Sequence, residues 1–483
     1  MAPRRDPGII GDFTGLDLRR SPATSDPTSL RLATNVSLSI GKKLVTRPRL
    51  IKLCDVSSET VGLYAADGLL RTVCPGGQSL QDSRPTEVWY DPVGNGTSYT
   101  LGTLSKLHAM ELAAAGTASK AYPYVCIETT AGRREHHWLT ESPASAATAV
   151  DTLVPLPFDP GKALVKSQNK LFADDPSAGV LRYSATTTTP RDWSTARDAG
   201  FLPVRRHSAG TTSIVGLSYF KEFVAVLFED SIQLWRMNSD PALMEFGGVL
   251  NGPGTTSPRL TTNVLGDMFY FSRGGFRSLS RSLVTGDDKA EDIGAKVTAL
   301  TKTETTGDDP VALWSESNSR FIACFGSTAY VLTYSPSTDS VGWTTWELPV
   351  AIEYLVENNG NLYARSGDTV YVFEDEVAAD TAGSVSFDVV LAFQTMGYPG
   401  RKKSWRWVDL VQDGTSRMNF LLDPSNPTTG EFTTGIGTTG DTFASGRIAI
   451  NRVSDSLGFR FTGTGIWELD SVIVDAVTLK GRG

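Results

Sequence analysis

Ser213–Met237 reads SIVGLSYFKEFVAVLFEDSIQLWRM, and its cadence decides the fold. An apolar run ends at Phe220, and Lys221-Glu222 breaks it. A second run (Phe223–Phe228) meets a Glu229-Asp230 turn, and a third (Ser231–Arg236) follows. Short runs rich in Val, Phe, Leu and Ile, each cut by a polar pair, read as strands joined by hairpin turns. The resulting antiparallel meander has two apolar faces and cannot bury both alone. Set in a ring, such units bury each face against a neighbour.

The cadence recurs on both sides of this stretch. Downstream lie Asn263–Arg281 with turns at Gly266-Asp267 and Arg273–Gly275, Val311–Leu348 with turns at Ser317–Ser319 and Gly326-Ser327, and Ile352–Glu374 with turns at Asn358–Gly360 and Ser366–Asp368. Upstream, Ala163–Tyr183 fits the same template, and Val61–Val73 and Leu101–Leu139 fit it more loosely. A repeat of roughly 40–55 residues is the length of a propeller blade. The expectation is an all-β chain with a β-propeller of five to seven blades, an irregular sandwich series being the alternative. Ser337–Trp346 comes close to the Asp box of sialidase-like propellers, a structural turn that sets a Trp between blades, but carries extra residues. Helical periodicity is confined to Leu104–Ala115, LSKLHAMELAAA, where the spacing predicts about three turns of helix.

The ends have a different character. Residues 1–50 form an extended, Pro-punctuated, arginine-bearing arm, residues 51–375 the propeller, and residues 376–483 a C-terminal β-sandwich-like domain entered through the acidic linker Asp375–Gly383. Arms of this kind pack on another domain or another subunit.

Composition narrows the function. With 483 residues, 40% hydrophobic and 20% charged, the chain is globular and large enough for a substantial core. A net charge of −8 argues against a protein that coats nucleic acid, though not against one that DNA passes. Cys54, Cys74, Cys126 and Cys324 lack any C-x-x-C spacing and read as free, mostly buried thiols. MAPRRDPGIIGDF has no apolar run of signal-peptide length, and no stretch of about 18 apolar residues could cross a bilayer. The expectation is cytosolic synthesis without membrane insertion, so the sequons at Asn35 and Asn95 read as chance matches.

The candidates for chemistry read as structural. Of the four histidines, His108, His136, His137 and His207, the adjoining His136-His137 in the loop-like GRREHHWLT read as a solvated or rim pair and not a metal or base site. Asp174-Asp175 in FADDPSAG, and Asp287-Asp288 with Glu291-Asp292 in GDDKAED, lack calcium-loop spacing and read as solvated loops. Gly274-Gly275 is a hairpin turn and not a phosphate cradle. The tryptophans, about one per unit, read as core plugs. Arg401-Lys402-Lys403 with Arg406, the densest basic patch, reads as a subunit contact or a solvated strand edge. Hence no catalytic, cofactor or metal residues are expected, and the chain reads as a non-enzyme. A propeller glycosidase would need two carboxylates converging at the ring centre.

Several phrases resemble one family. They are Phe13-Thr14-Gly15-Leu16-Asp17 with Pro22, Leu30, Ala33, Asn35-Val36 and Arg47-Pro48; Tyr183 with Pro190-Arg191-Asp192-Trp193; Gly342-Trp343-Thr344-Thr345-Trp346; and Phe459-Arg460-Phe461-Thr462-Gly463 with Gly465 and Trp467-Glu468-Leu469. Together, and in this order, they resemble the tail nozzle (tail tubular protein B) of short-tailed bacteriophages. One departure is Arg49, where the family's arm phrase ends in glycine. The resemblance implies a structural virion protein of the tail, a homohexamer below the portal and its adaptor ring. It also implies contacts with tail fibres or tailspikes and a tail needle, and passage of double-stranded DNA through the lumen. The alternative is a carbohydrate-active or carbohydrate-binding propeller, such as a tailspike-like depolymerase or a lectin.

Overall fold

The computed structural model describes residues 7–56, 60–66, 69–73, 104–114, 121–129, 132, 134–138, 158, 160–186, 192–207, 213–252, 254–285, 292–304, 309–336, 340–375, 383–425, 431–443 and 446–479. The opening residues supply β1 (Gly8–Ile10), β2 (Leu30–Thr34), β3 (Val36–Leu38) and β4 (Leu44–Thr46), and β5 (Arg49–Asp55) straddles the position where the arm was expected to end.

Seven sheets follow. The first holds β6 (Gly62–Ala66) and β7 (Leu69–Val73), and the second β8 (Leu104–Ala114), β9 (Ala121–Thr129) and β10 (Arg134–Trp138). The third holds β11 (Leu164–Ser167), β12 (Lys170–Asp175), β13 (Val180–Tyr183) and β14 (Gly200–Leu202), and the fourth β15 (Gly216–Phe220), β16 (Phe223–Leu227), β17 (Ser231–Arg236) and β18 (Glu245–Asn251). In the fifth, β19 (Thr262–Val264), β20 (Asp267–Ser272) and β21 (Gly275–Ser278) are followed by helices α1 (Leu279–Thr285) and α2 (Thr298–Thr301), which pack on the sheet. The sixth is β22 (Val311–Ser315), β23 (Arg320–Phe325), β24 (Thr328–Ser335) and β25 (Ser340–Glu347). The seventh is β26 (Tyr354–Asn358), β27 (Asn361–Ser366) and β28 (Thr369–Glu374).

The first strands of these sheets, β6, β8, β11, β15, β19, β22 and β26, touch in that order, and β26 touches β6. This closed cycle makes a seven-bladed propeller, the upper end of the expected range. Its seventh blade takes a fourth strand from the other end of the chain. There β28 pairs antiparallel with β5, setting Glu374 opposite Arg49 and Thr369 opposite Asp55. Opening the ring between blades one and seven therefore means breaking this ladder.

Leu104–Ala114 is a strand, not the expected helix. Its Leu, Lys, Met, Glu and Ala residues are strong helix formers, but pairing with β9 overrides that weak preference. Register shifts at Leu104/Lys106 and Leu107/Ala109 interrupt the strand's two-residue period, so the adjacent Leu107 and His108 are both buried.

The tryptophans behave as plugs. Trp343 stacks on Phe276 at 4.8 Å in the core shared by blades five and six. Trp346 joins Leu50 and Phe373 between blades six and seven. Trp193, Trp235, Trp405 and Trp467 are also buried, while Trp314 and Trp407 are half-buried. Burying one indole removes roughly 200 Å² from water, worth on the order of 5 kcal/mol. Trp89 and the side chain of Trp138 lie outside the described residues.

After the ring come β29 (Ser386–Leu391), β30 (Lys403–Leu421), β31 (Glu431–Thr439), β32 (Ile448–Ser454), β33 (Gly458–Thr464) and β34 (Trp467–Thr478). The first part of the long β30 pairs with β34 and β32, and its second part with β31 and β33, so one strand serves both leaves of a sandwich-like domain. All four arm strands join these sheets. β1 and β4 pair with β34, β3 pairs with β4, and β2 runs between β29 and β25. Blade six and the terminal domain thus belong to a single 14-stranded sheet.

Candidate functional site

Three of the four phrases that carry the family resemblance come together where arm, ring and terminal domain meet. At Gly15, φ is +74°, and an added Cβ would lie 2.6 Å from the Trp343 nitrogen, so only glycine fits there. That closeness allows Leu16 N–H to donate to the Trp343 carbonyl at 2.8 Å, while Leu30 N–H donates to the Gly15 carbonyl at 2.8 Å. Asn35, also left-handed (φ 57°), is the centre of the joint. Its Nδ2 donates to the Ser386 carbonyl at 2.8 Å, and its Oδ1 accepts from Arg47 Nε at 3.0 Å and from Glu347 N–H at 2.7 Å. One side chain therefore ties the terminal domain, the arm and blade six. The buried Arg47 also donates to the Pro48 carbonyl at 2.9 Å and the Glu347 carbonyl at 3.0 Å.

Neighbouring phrases complete this joint. Trp346 Nε1 donates to the Val36 carbonyl and Ser37 Oγ, both at 3.1 Å. Trp467 stacks on Phe387 at 4.4 Å and donates to Gln412 Oε1 at 3.1 Å. Arg460 grips Asp388 through two bonds of 2.9 and 2.7 Å. Farther round the ring, Trp193 Nε1 donates to Tyr124 Oη at 3.0 Å and links blades two and three. Pro190 and Arg191 lie outside the described residues. A paired arginine–carboxylate fork and several buried indole N–H bonds fix geometry here.

The acidic pairs require correction. Asp174 and Asp175, expected in a solvated loop, are buried. Asp174 Oδ1 accepts from Ala163 N–H at 2.8 Å, and burial pushes its carboxyl up to about 6. The turn closes so tightly that an added Cβ on Gly161 would lie 1.5 Å from Asp174 Oδ2. Asp175 takes Ser177, Ala178 N–H and Arg182 at 2.8–3.0 Å. Burial raises its pKa, but these bonds outweigh that and hold it below its ordinary value. Asp174 therefore clamps the chain entering β11 to β12, while Asp175 locks the turn that follows β12. Asp292 is buried too, accepting from Ser278 and Ile293 N–H groups at 2.9 Å. Asp287, Asp288 and Glu291 lie outside the described residues.

Other expected groups are scattered. His108 Nε2 donates to the Glu128 carboxylate at 2.7 Å, and burial pushes the imidazole down to about 4. His207 stacks on Phe246 at 3.9 Å. The backbones of His136 and His137 lie in β10, a strand and not a loop, opposite Cys126 and Val125, and their side chains lie outside the described residues. Lys403 is no part of an exposed basic patch. Its ammonium is buried and donates to the carbonyls of Tyr398, Arg401 and Asp455 at 2.6–2.8 Å. Arg401 and Lys402 are exposed. Cys126 and Cys324 are buried free thiols, Cys54 is half-buried, and Cys74 lies outside the described residues. Among the described residues, no three His, Cys, Asp or Glu side chains gather as metal ligands, and no helix is long and apolar enough to cross a membrane.

A second locus lay hidden in the segment expected to be helical. The inner ends of β6, β8, β11 and β15 open into a cavity of about 680 Å³ at the axial mouth of the ring. Glu111 enters it from β8 and accepts from the Lys166 N–H of β11, and burial pushes its carboxyl up to about 7. Tyr219 on β15 faces it, and its phenol is pushed up by burial and by the Glu111 charge. Glu222 lines the same cavity, tied to Arg236 at 2.7 Å. Two carboxylates thus share the mouth, but one is held by an arginine. No sequence periodicity singled out Glu111, because the pattern around it was helical.

No family model matches the chain, and no curated protein matches it. Among solved structures, the extracellular domain of a hybrid two-component system from B. thetaiotaomicron aligns at TM-score 0.37 and 9% identity, over 74% of this chain and 43% of that one. Streptogramin B lyase aligns at 0.37 and 8%, over 67% and 95% of the two chains. The WD40 domain of Neurospora crassa Pan2 aligns at 0.29 and 7%, over 57% and 76%. Likeness at this level carries no functional argument. The propeller stands on its own strand pairing and closed cycle of blades.

Proposed function

We propose that this chain is a structural virion protein, the tail nozzle of a short-tailed phage, acting as a homohexamer below the portal and adaptor. The observation that carries the reading is the joint at Asn35 and Arg47. There the phrases that resemble the nozzle family interlock arm, blade six and terminal domain. A part that must guide genomic DNA out of a pressurised particle benefits from such a build. The arm ends threaded through two units, and the sheet runs on between them without a flexible linker at that point.

In this reading the mechanism is mechanical and non-enzymatic. Six copies surround a lumen wider than any one propeller's axis, and DNA passes through that shared lumen. A net charge of −8 fits transient passage better than retention, because few phosphates are neutralised. Fibres or tailspikes and a tail needle would dock on the outer and distal surfaces.

The test is localisation. Antibody raised against the purified chain should label the tail end of intact phage particles by electron microscopy, at the vertex that carries the portal. Label absent from purified, infectious particles would refute the proposal.

A further inference from the structure

We propose that the axial mouth of the propeller binds a short, neutral saccharide. This inference does not depend on the assembly reading, since it concerns the ring of a single chain. The cavity of about 680 Å³ falls within the range of roughly 300–1,000 Å³ typical of small-molecule sites. It opens at hairpin tips contributed by successive blades, where short rigid turns hold side chains in fixed positions.

Chemistry narrows the ligand. Lys166 and Lys221 stand with Glu111 and Glu222 in the lining, so residues of both signs are present there. The lining includes groups that pair with hydroxyls. They are the amides of Gln168 and Asn169, the Tyr219 phenol and the Glu111 carboxyl. Tyr219 is half-buried and its hydroxyl makes no protein hydrogen bond among the described residues, so it can pair with a ligand. Met110 and Phe223 add apolar wall of the kind that covers the C–H face of a sugar ring. Around Glu111, the other titratable groups are Lys166 on β11 and Tyr219 on β15, with Tyr124 directly opposite on β9. A bound hydroxyl would add a bond to a carboxyl that already accepts from the Lys166 N–H.

The test is a titration of the full-length chain with maltotriose, cellotriose, mannotriose and chitotriose, followed by saturation-transfer NMR and calorimetry. At least one should bind at millimolar affinity or better. Tyr219→Phe should weaken that binding by about five- to tenfold, the worth of one hydrogen bond. Asn169→Gly should weaken it similarly. Asn169 has φ 62°, which glycine adopts freely, so this second variant keeps the turn and carries the test if Tyr219→Phe is less stable. Absence of binding by all four sugars at 10 mM would overturn the proposal, as would binding that both variants leave unchanged.

Discussion

Asn35 offers the sharpest test of the joint, because its backbone and side-chain contributions can be separated by substitution. Asn35→Ala removes a donor to the Ser386 carbonyl and an acceptor for Arg47 Nε and Glu347 N–H, all in a site where Asn35 is 5% exposed. Leaving buried partners unsatisfied costs ~1–3 kcal/mol each, and since the three share one side chain a total of about 3–6 kcal/mol is expected. Alanine must also hold φ at 57°, which adds ~1–2 kcal/mol that glycine escapes. Asn35→Gly should therefore be less damaging than Asn35→Ala by about 1 kcal/mol. Asn35→Asp, which keeps an acceptor for Arg47, should lose least of the three. Urea unfolding followed by indole emission reads this order well, since Trp346 donates into the same joint. With an m-value of ~3 kcal/mol/M, the combined loss of about 4–8 kcal/mol should lower the Asn35→Ala midpoint by about 1.3–2.7 M. A midpoint within about 0.2 M of the parent, or glycine worse than alanine, would refute the account of the joint.

Lys403→Met strands three carbonyls that now share one ammonium, and should cost ~3–5 kcal/mol by urea unfolding, whereas the exposed Lys402→Met should change stability by less than about 0.5 kcal/mol. Glu111 has a folded-state pKa raised from 4.5 to about 7, so the fold favours its neutral form. Its contribution is fully present below pH 4.5 and is lost as pH rises to about 7, by on the order of 3 kcal/mol. Glu111→Gln should flatten that slope, being near parent stability at pH 4 and more stable at pH 8 in paired denaturation curves. Burial pushes the Cys324 thiol up to about 12 and raises that of Cys126 further, so a thiol reagent at pH 8 should label Cys54 in the folded chain, and the other two only after unfolding, as read by peptide mass spectrometry.

Local structure was the legible part. The Lys221-Glu222 break in Ser213–Met237 is the β15–β16 hairpin, and the seven stretches with this cadence became the seven blades. What stayed illegible depends on partners far away in the chain. Nothing in RLIKLCD announces that β5 completes a blade some 300 residues later, because an outer strand looks like any other strand until its partner is known. Leu104–Ala114 misled for the opposite reason. Its helix formers give a strong local signal, and only β9 and two register shifts reverse it. That misreading also hid Glu111, whose position at the axis follows from β8 being an inner strand. Asp174, Asp175 and Lys403 were read as solvated because charged residues usually are, and their buried partners are mostly backbone groups, which leave no mark in a sequence. Asn35 shows the same limit from another side. Its sequon reads as a chance match, and the feature that matters is a left-handed backbone and bonds to residues more than 300 positions away.

The central claim is that a seven-bladed ring, locked by its own first strands to a terminal domain, is one subunit of a six-fold tail part. A cryo-electron microscopy reconstruction of the tail vertex tests it most directly. The account predicts six copies around a DNA-wide lumen, propellers on the outside, with β5 as the outer strand of blade seven in each. A vertex with no density for this chain, or a ring closed without β5, would contradict it.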